Sequence, residues 1–201
     1  MKTAFAVVFM ATCSISIATA QQSAPPAIMS PAAQIASAVA PLPQEFRDGA
    51  TILGYAGGTK GLTQLRAGTG PFICLADDPS DQRFHVACYV NTLEAFMARG
   101  RALRESGVKG PGVDSVRFAE INSGKLNMPK SPAALYSLTL KPEEVNAETG
   151  TVPATAKPLY VVYIPFATSE STGLPKTPAA GTPWIMFPGS PKAHIMFVPT
   201  M

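Results

Sequence analysis

The clearest hydrophobic pattern in the chain lies within residues 65–107 and predicts two strands followed by a helix. Residues 71–76 and 84–90 are short apolar runs with the length and composition of strands. Residues 77–82 between them contain three aspartates and a proline, which is typical of a turn. The rest of the chain is expected to pack around this unit or to tether it.

The helix is predicted over residues 91–106. Asn91 can cap its first turn and Glu94 follows three residues later, which is the spacing of a capping box. Apolar or small residues then recur on one face, at Leu93, Phe96, Met97, Gly100 and Leu103. Gly107 is placed to end the helix. A glycine inside a helix costs about 1 kcal/mol relative to alanine, so Gly100 predicts close packing against a neighbour.

Further strands are predicted from alternating or β-branched runs. They lie at residues 50–55, 62–66, 159–164, 184–187 and 193–198, and the last two are expected to form a hairpin. Residues 159–164 are apolar on both faces, which predicts a place at the centre of the sheet. Residues 113–121 are ambiguous, and residues 133–140 fit a helix or a strand. The fold class is therefore α+β: a small antiparallel sheet with one main helix and many loops.

The beginning of the chain predicts export. Residues 1–20 combine Lys2, a short apolar stretch and the small residues Ala18 and Ala20, as in a cleaved signal peptide. No later run is long and apolar enough to cross a bilayer, so no transmembrane segment is expected after cleavage. Residues 21–43 are rich in alanine and proline and carry no charge. They are interpreted as a mobile, disordered tether, with a short docked helix as the alternative, before a single globular domain at 44–201.

Cys74 and Cys88 are the two cysteines outside the predicted signal peptide, and each lies in a predicted strand. A disulfide is the expected state in an exported chain, and it would stabilise the fold by about 3 kcal/mol. The alternatives are two buried thiols or a thiol pair that binds a metal ion. The signal peptide predicts a soluble protein in the periplasm or outside the cell, where such a bond would persist.

Composition narrows the choice of partners. The formal net charge is +3 with 14% charged residues, so no nucleic-acid surface is expected. The chain contains 16 glycines and 20 prolines, which favours short strands joined by many turns. A small molecule or another protein remains as the partner.

Candidate chemistry is sparse. His194 and Met196 lie on one face of a predicted strand with Met186 across the hairpin, a ligand set that suits Cu(I). The alternative is a packed histidine among core methionines. No cofactor is predicted, because a full ligand set is not visible.

A hydrolytic enzyme is another hypothesis. His194 could pair with Ser169, Ser171 or Ser190, but no nucleophile-elbow motif is present. Glu94 is a further candidate for an enzyme. No catalytic residue is therefore predicted. Three aspartates of the turn could collect calcium, although turn formation is the simpler interpretation: Asp77, Asp78 and Asp81. His85 is interpreted as a surface histidine on the face opposite Cys88.

Residues 165–183 form a long predicted loop, and long loops commonly carry function. Ser169 and Glu170 are its candidate contact residues. The sequence thus favours an exported, non-catalytic binding or structural module. A periplasmic copper protein and a hydrolase are the alternatives.

These motifs together resemble an uncharacterised family of exported bacterial proteins. The resemblance rests on Leu-Arg-Ala-Gly-Thr at 65–69, Phe-Ile-Cys at 72–74 and Cys88. It continues with Pro-Trp-Ile-Met at 183–186 and Ala-His-Ile-Met at 193–196. The resemblance implies an exported location and no particular activity, cofactor or catalytic residue.

Overall fold

A computed structural model describes residues 28–57, 61–179 and 181–199. The helices are α1 (Pro31–Ala38), α2 (Gln44–Arg47), α3 (Glu94–Glu105), α4 (Pro111–Asn122) and α5 (Ser169–Thr172), with 3₁₀ turns at Asn91–Leu93 and Pro142–Glu144. The strands are β1 (Thr51–Gly54), β2 (Thr63–Arg66), β3 (Phe72–Leu75), β4 (Phe84–Val90), β5 (Ala133–Leu140), β6 (Lys157–Tyr163), β7 (Trp184–Met186) and β8 (His194–Phe197). The predicted α+β class is confirmed.

The strands form one sheet of eight in the order β2-β1-β3-β4-β5-β6-β8-β7. The prediction of a small antiparallel sheet is wrong, because the sheet is large and because β1 and β3 run parallel. The C-terminal hairpin of β7 and β8 forms as predicted. β6 has neighbours on both sides, but the two middle strands are β4 and β5.

Two glycines explain the parallel pair. After β2, the chain crosses the start of β1 to reach β3 on its far side. Gly70 donates its N–H to the carbonyl of Gly49 at 2.8 Å during this crossing. A Cβ at Gly68 would lie 2.3 Å from the same carbonyl oxygen, so only glycine allows the close approach.

The main helix lies where the sequence predicted it, but its capping was predicted wrongly and a second helix was not predicted. Residues 94–105 form α3, and Gly107 follows at a φ of 91°, as expected for a helix stop. The predicted capping box is absent, because residues 91–93 form a 3₁₀ turn without a side-chain cap. A second helix of the same length, α4, packs beside α3, so α3 is not the one main helix. Residues 133–140 are a strand.

The sheet is covered on both faces. On one face, α1 and the segment after it contact Ile52, Cys74 and Cys88. On the other face, α3 lies over Tyr89 and Val161. Alternation along β4 explains the division, since its even-numbered residues face α1 and its odd-numbered residues face α3.

The interpretation of residues 21–43 as a mobile tether is wrong for the part that the structure describes. Ser30 caps α1 by accepting the N–H of Ala33 at 3.2 Å, and Pro31 occupies the first turn. Ala33 and Ala38 are fully buried, so the globular domain begins before residue 44. Residues 21–27 of the tether and the predicted signal peptide at 1–20 lie outside the described residues.

The predicted disulfide is confirmed. Cys74 lies directly opposite Cys88 in the β3–β4 pair, and the two sulfur atoms are bonded. Both cysteines are completely buried. The carbonyl oxygen of Ala38, at the end of α1, lies 3.1 Å from Cys88 Sγ. The bridge therefore forms part of the contact between α1 and the sheet.

Candidate functional site

His194 begins β8 and is 6% exposed. The centroid of its ring lies 5.1 Å from that of Tyr163 and 5.7 Å from that of Phe187. Nδ1 is 2.7 Å from the carbonyl oxygen of Lys192 and must carry the proton, because a carbonyl only accepts. Burial lowers the pKa of His194, with a further contribution from the Lys192 charge. His194 is therefore a packed, neutral histidine with an unprotonated Nε2.

Met186 and Met196 lie near His194, as the hairpin predicts. Met186 pairs with His194 across β7 and β8, and Met196 follows two positions along the same strand face. In the described parts of the chain, no group of three or more His, Cys, Asp or Glu side chains could hold a metal ion. A copper site at these residues stays a prediction.

Charged side chains beside His194 are paired with one another. We call Asp114, Arg117 and Lys192 the Asp114 cluster. Asp114 binds the Arg117 guanidinium with one carboxylate oxygen and Lys192 Nζ with the other, the latter at 2.8 Å. Burial alone would raise the pKa of Asp114, but hydrogen bonds from Lys192 and Arg117 and their charges lower it.

Arg117 anchors this cluster in the core, where its residue is 4% exposed. Nη1 donates to the Phe96 carbonyl at 3.1 Å, and Cζ lies 3.7 Å above the centre of the Phe96 ring. A Cβ at Gly100 would lie 2.8 Å from Nη1, which confirms the predicted close packing at this glycine. The cluster ties α3, α4 and the turn before β8 together, and its charges are used in structure.

The candidate serines do not join His194. Ser171 bonds to Thr168, and Ser190 Oγ donates to the Phe187 carbonyl at 2.7 Å. Ser169 Oγ is buried without a hydrogen-bond partner among the described residues. No hydrogen bond within the described chain therefore links one of these serines to the histidine.

Glu170 lies in α5 at the surface. Its pKa is lowered, first by a hydrogen bond from its own backbone N–H and then by the side chain of Thr168 and the charge of Lys176. Glu94, the other carboxylate considered for catalysis, accepts from Tyr89 and Arg101. Both carboxylates are bound within the protein.

The turn before β4 behaves as its composition predicts. Asp78 accepts from the N–H and the hydroxyl of Ser80, and Asp81 accepts from the N–H of Gln82. Asp77 accepts the N–H of His85 at 2.7 Å. His85 is exposed, as predicted, and lies on the opposite face from Cys88.

Two exposed phenylalanines stand at the end of the sheet near His194. Phe166 has a φ of 64° and Phe187 a φ of 51°, which is the left-handed region that bulky residues avoid. Their side chains are 51% and 44% exposed. We call this pair the phenylalanine corner.

Backbone hydrogen bonds hold the two loops of the phenylalanine corner together. Phe166 donates its N–H to the Ser190 carbonyl at 2.9 Å, and Gly189 donates to the Ala167 carbonyl at 2.8 Å. Lys192 Nζ lies 4.6 Å from the centre of the Phe187 ring. Phe166 also borders a groove of about 500 Å³ lined by residues 126–132 and 164–167 and by Ile121.

The sequence predicted the loop of Phe166 as a contact region but not the corner itself. Pro165 and Pro188 adjoin the two phenylalanines and signal turns. They do not indicate which ring points into solvent, because that depends on the pairing of two loops distant in sequence. The positive φ values of Phe166 and Phe187 identify the corner, and these values cannot be inferred from the residue types.

Comparisons with models of protein families, with curated proteins and with solved structures find no match. In the part of the chain that the structure describes, no helix is long and apolar enough to cross a membrane. The resemblance to exported bacterial proteins and the signal peptide both stay predictions.

Proposed function

We propose that the protein is an exported, non-catalytic binding protein that contacts its partner through the phenylalanine corner. The observation that carries this proposal is the pair of exposed phenylalanines with positive φ values. The buried Cys74–Cys88 disulfide supports export, because such bonds persist in oxidising compartments.

The backbone conformation of the two phenylalanines destabilises the folded protein. A non-glycine residue in the left-handed region costs about 1–3 kcal/mol, and strain of this kind concentrates at functional sites. Gly189, with a φ of 75°, shows that glycine already occupies one such position in the same turn. Phenylalanine at position 166 therefore carries backbone strain that a glycine would relieve, while both phenylalanines present rings to solvent.

The chemistry of the corner favours an apolar contact. Lys192 is bound to Asp114, so its charge is already neutralised beside the Phe187 ring. The groove next to Phe166 has Leu126 and Met128 in its wall. The wall also includes Asn127, Lys130 and Ser131. Exposed aromatic rings beside a groove that combines apolar and polar side chains are typical of the anchor residues of protein interfaces.

The test is a comparison of Phe166→Gly with the wild type as bait in the exported fraction of the native host. We expect the variant to lose a saturable partner, because it lacks an exposed anchor ring. Its free energy of unfolding should change by no more than about 1 kcal/mol, because loss of an exposed ring is offset by relief of backbone strain.

Tyr160→Ala is the matched control. Tyr160 is 38% exposed on the sheet face away from His194, so its removal deletes a surface ring of similar size. Partner capture should survive in this variant. Equal capture by Phe166→Gly and the wild type, or loss in the control alone, would show that the corner is not the contact surface.

A further inference from the structure

A cavity of about 310 Å³ lies at the other end of the sheet, where β3 ends and β4 begins. Its wall is mainly apolar and includes Met29, Phe84, Pro142 and Val145, while Asp77 and Asp81 bring carboxylates to it. Small-molecule sites have about this volume and the same combination of apolar walls with few polar groups. We call this feature the Asp77 cavity.

The rim of the Asp77 cavity is fixed by Gln34. Its side-chain amide donates to the carbonyls of Met29 at 2.8 Å and Tyr55 at 2.9 Å, and its oxygen accepts the N–H of Tyr55 at 2.8 Å. Gln34 is 2% exposed, so these bonds are shielded from water. They join α1 to the end of β1 at the edge of the cavity.

The carboxylate in the cavity has a fixed position, and no cation among the described residues pairs with it. Asp77 Oδ1 accepts the N–H of His85, which orients the group. Among the described residues, no lysine or arginine forms an ion pair with Asp77. Burial raises the pKa of Asp77 to about 6, and the charges of Asp78 and Asp81 contribute to the increase. The group is thus still ionised at neutral pH, half-buried and without an ion-pair partner in the described parts of the chain.

The rest of the lining decides which cation fits. Asp78 and Asp81 are used in turn hydrogen bonds, and the opposite wall offers aliphatic and aromatic carbon. A hard metal ion needs about six oxygen ligands, which this wall does not provide. An organic cation needs one charged contact and an apolar surface for its body.

We propose that the Asp77 cavity binds a small primary amine, whose ammonium group pairs with Asp77 and whose apolar body contacts Met29, Phe84 and Val145. This site lies at the opposite end of the sheet from the phenylalanine corner, so it does not depend on the function proposed there. An anion would be repelled by Asp77 and Asp81, and a neutral ligand would leave the carboxylate unpaired.

The test uses benzylamine, with benzyl alcohol as the neutral analogue of the same shape. Amide NMR spectra of the full chain near neutral pH should show saturable shifts around Met29, Tyr55 and His85. Benzylamine should bind about tenfold more tightly than benzyl alcohol, because its ammonium group adds a positive charge to the hydrogen bond with the carboxylate, whereas the hydroxyl group brings no charge. This preference should shrink as the pH falls below the pKa of Asp77, which burial, with a contribution from the charges of Asp78 and Asp81, raises to about 6.

Three variants separate the contributions of charge and shape. Asp77→Asn should abolish the preference for the amine, whereas Asp48→Asn, an exposed carboxylate outside the cavity, should preserve it. Ala147→Trp places a large ring at an exposed position of the cavity lining and should block both ligands without changing charge. Absence of saturable shifts, equal binding of amine and alcohol, or an unchanged preference in Asp77→Asn would overturn the proposal.

Discussion

Asp114 and Asp77 are two partly buried aspartates at opposite ends of one sheet, and their surroundings differ in one respect. Asp114 has two cations against it, so its pKa is lowered despite burial. Asp77 has one backbone N–H and two neighbouring carboxylates, so burial raises its pKa to about 6. Within the described residues, the same side chain therefore has two counter-charges at one end of the sheet and none at the other.

This difference separates a structural charge from a binding charge. A carboxylate that already holds two cations has little affinity left for a ligand, and its removal harms the fold. A carboxylate without a cation in an apolar cavity weakens the fold at neutral pH and can recover that energy from a ligand. Variants at the two ends should therefore respond in opposite directions.

Arg117→Ala should have the largest effect on the structural end. It removes a buried guanidinium from Asp114 and Phe96 and leaves a void in the core. We expect a loss of about 3 kcal/mol in the free energy of unfolding, measured by urea denaturation. A loss on this scale would confirm that the cluster supports the fold.

Arg99→Ala is the control, because Arg99 of α3 also forms an arginine–carboxylate pair, in this case with Glu120 of α4. This pair is more exposed, and solvent screens it. The loss should be much smaller than in Arg117→Ala. Equal losses in the two variants would remove the distinction between the clusters.

The pH dependence of stability should show the two aspartates separately. The folded-state pKa of Asp77 lies above its ordinary value of 3.8, so the free energy of unfolding falls as the pH rises from about 4 to about 6. We expect this fall to be about 1–2 kcal/mol, after allowance for the partial exposure of the group. The folded-state pKa of Asp114 is lowered, so its contribution is present above pH 4 and is lost in more acidic solution.

Denaturation series in Asp77→Asn and Asp114→Asn assign the two slopes. Asp77→Asn should remove the fall in the free energy of unfolding between about pH 4 and pH 6, and it should leave the loss of stability below about pH 4 unchanged. Asp114→Asn should reduce only the loss of stability below about pH 4. A curve of unchanged shape in Asp77→Asn would mean that the carboxylate is not destabilised by its surroundings.

Gly100→Ala should give the smallest change. Alanine normally stabilises a helix by about 1 kcal/mol relative to glycine. Here the added Cβ would lie 2.8 Å from Arg117 Nη1, and that group is held by Phe96 and Asp114. We expect a net loss of about 1 kcal/mol in thermal or urea unfolding.

A double-mutant cycle tests the cause of that loss. In an Arg117→Ala background the close contact is gone, so Gly100→Ala should become stabilising. The same loss in both backgrounds would place the strain somewhere other than the guanidinium.

The sequence predicted the elements that have a strong local pattern. Apolar runs around Cys74 and Cys88 identified β3, β4 and their disulfide, and the helical period from Leu93 identified α3. The α4 helix was missed because its buried face includes Arg117, which a hydrophobic pattern counts as polar. The parallel pairing of β1 was missed because it depends on a chain crossing at Gly68.

The sites were harder to predict, because they arise from contacts between distant segments. Gln34 lies in an uncharged, alanine-rich stretch, and its bonds to Tyr55 are contacts with a distant segment that the residue types do not indicate. His194 was a candidate because histidine is rare in this chain, but the structure shows it packed against Tyr163 and Phe187. Asp77 was interpreted correctly as a turn residue, but its missing counter-charge is a property of the cavity and not of the turn.

Because the disulfide lies beneath α1, the rate at which it is reduced depends on movement of that helix. Reduction requires a thiolate to reach a sulfur atom, but both cysteines are completely buried, and the carbonyl of Ala38 at the end of α1 lies against Cys88 Sγ. The bond can then exchange only while this helix is lifted from the sheet, so the reduction rate in native buffer measures how often that opening occurs. The contact between α1 and the sheet thus controls access to the disulfide, and the rate of reduction reports how often α1 separates from the sheet.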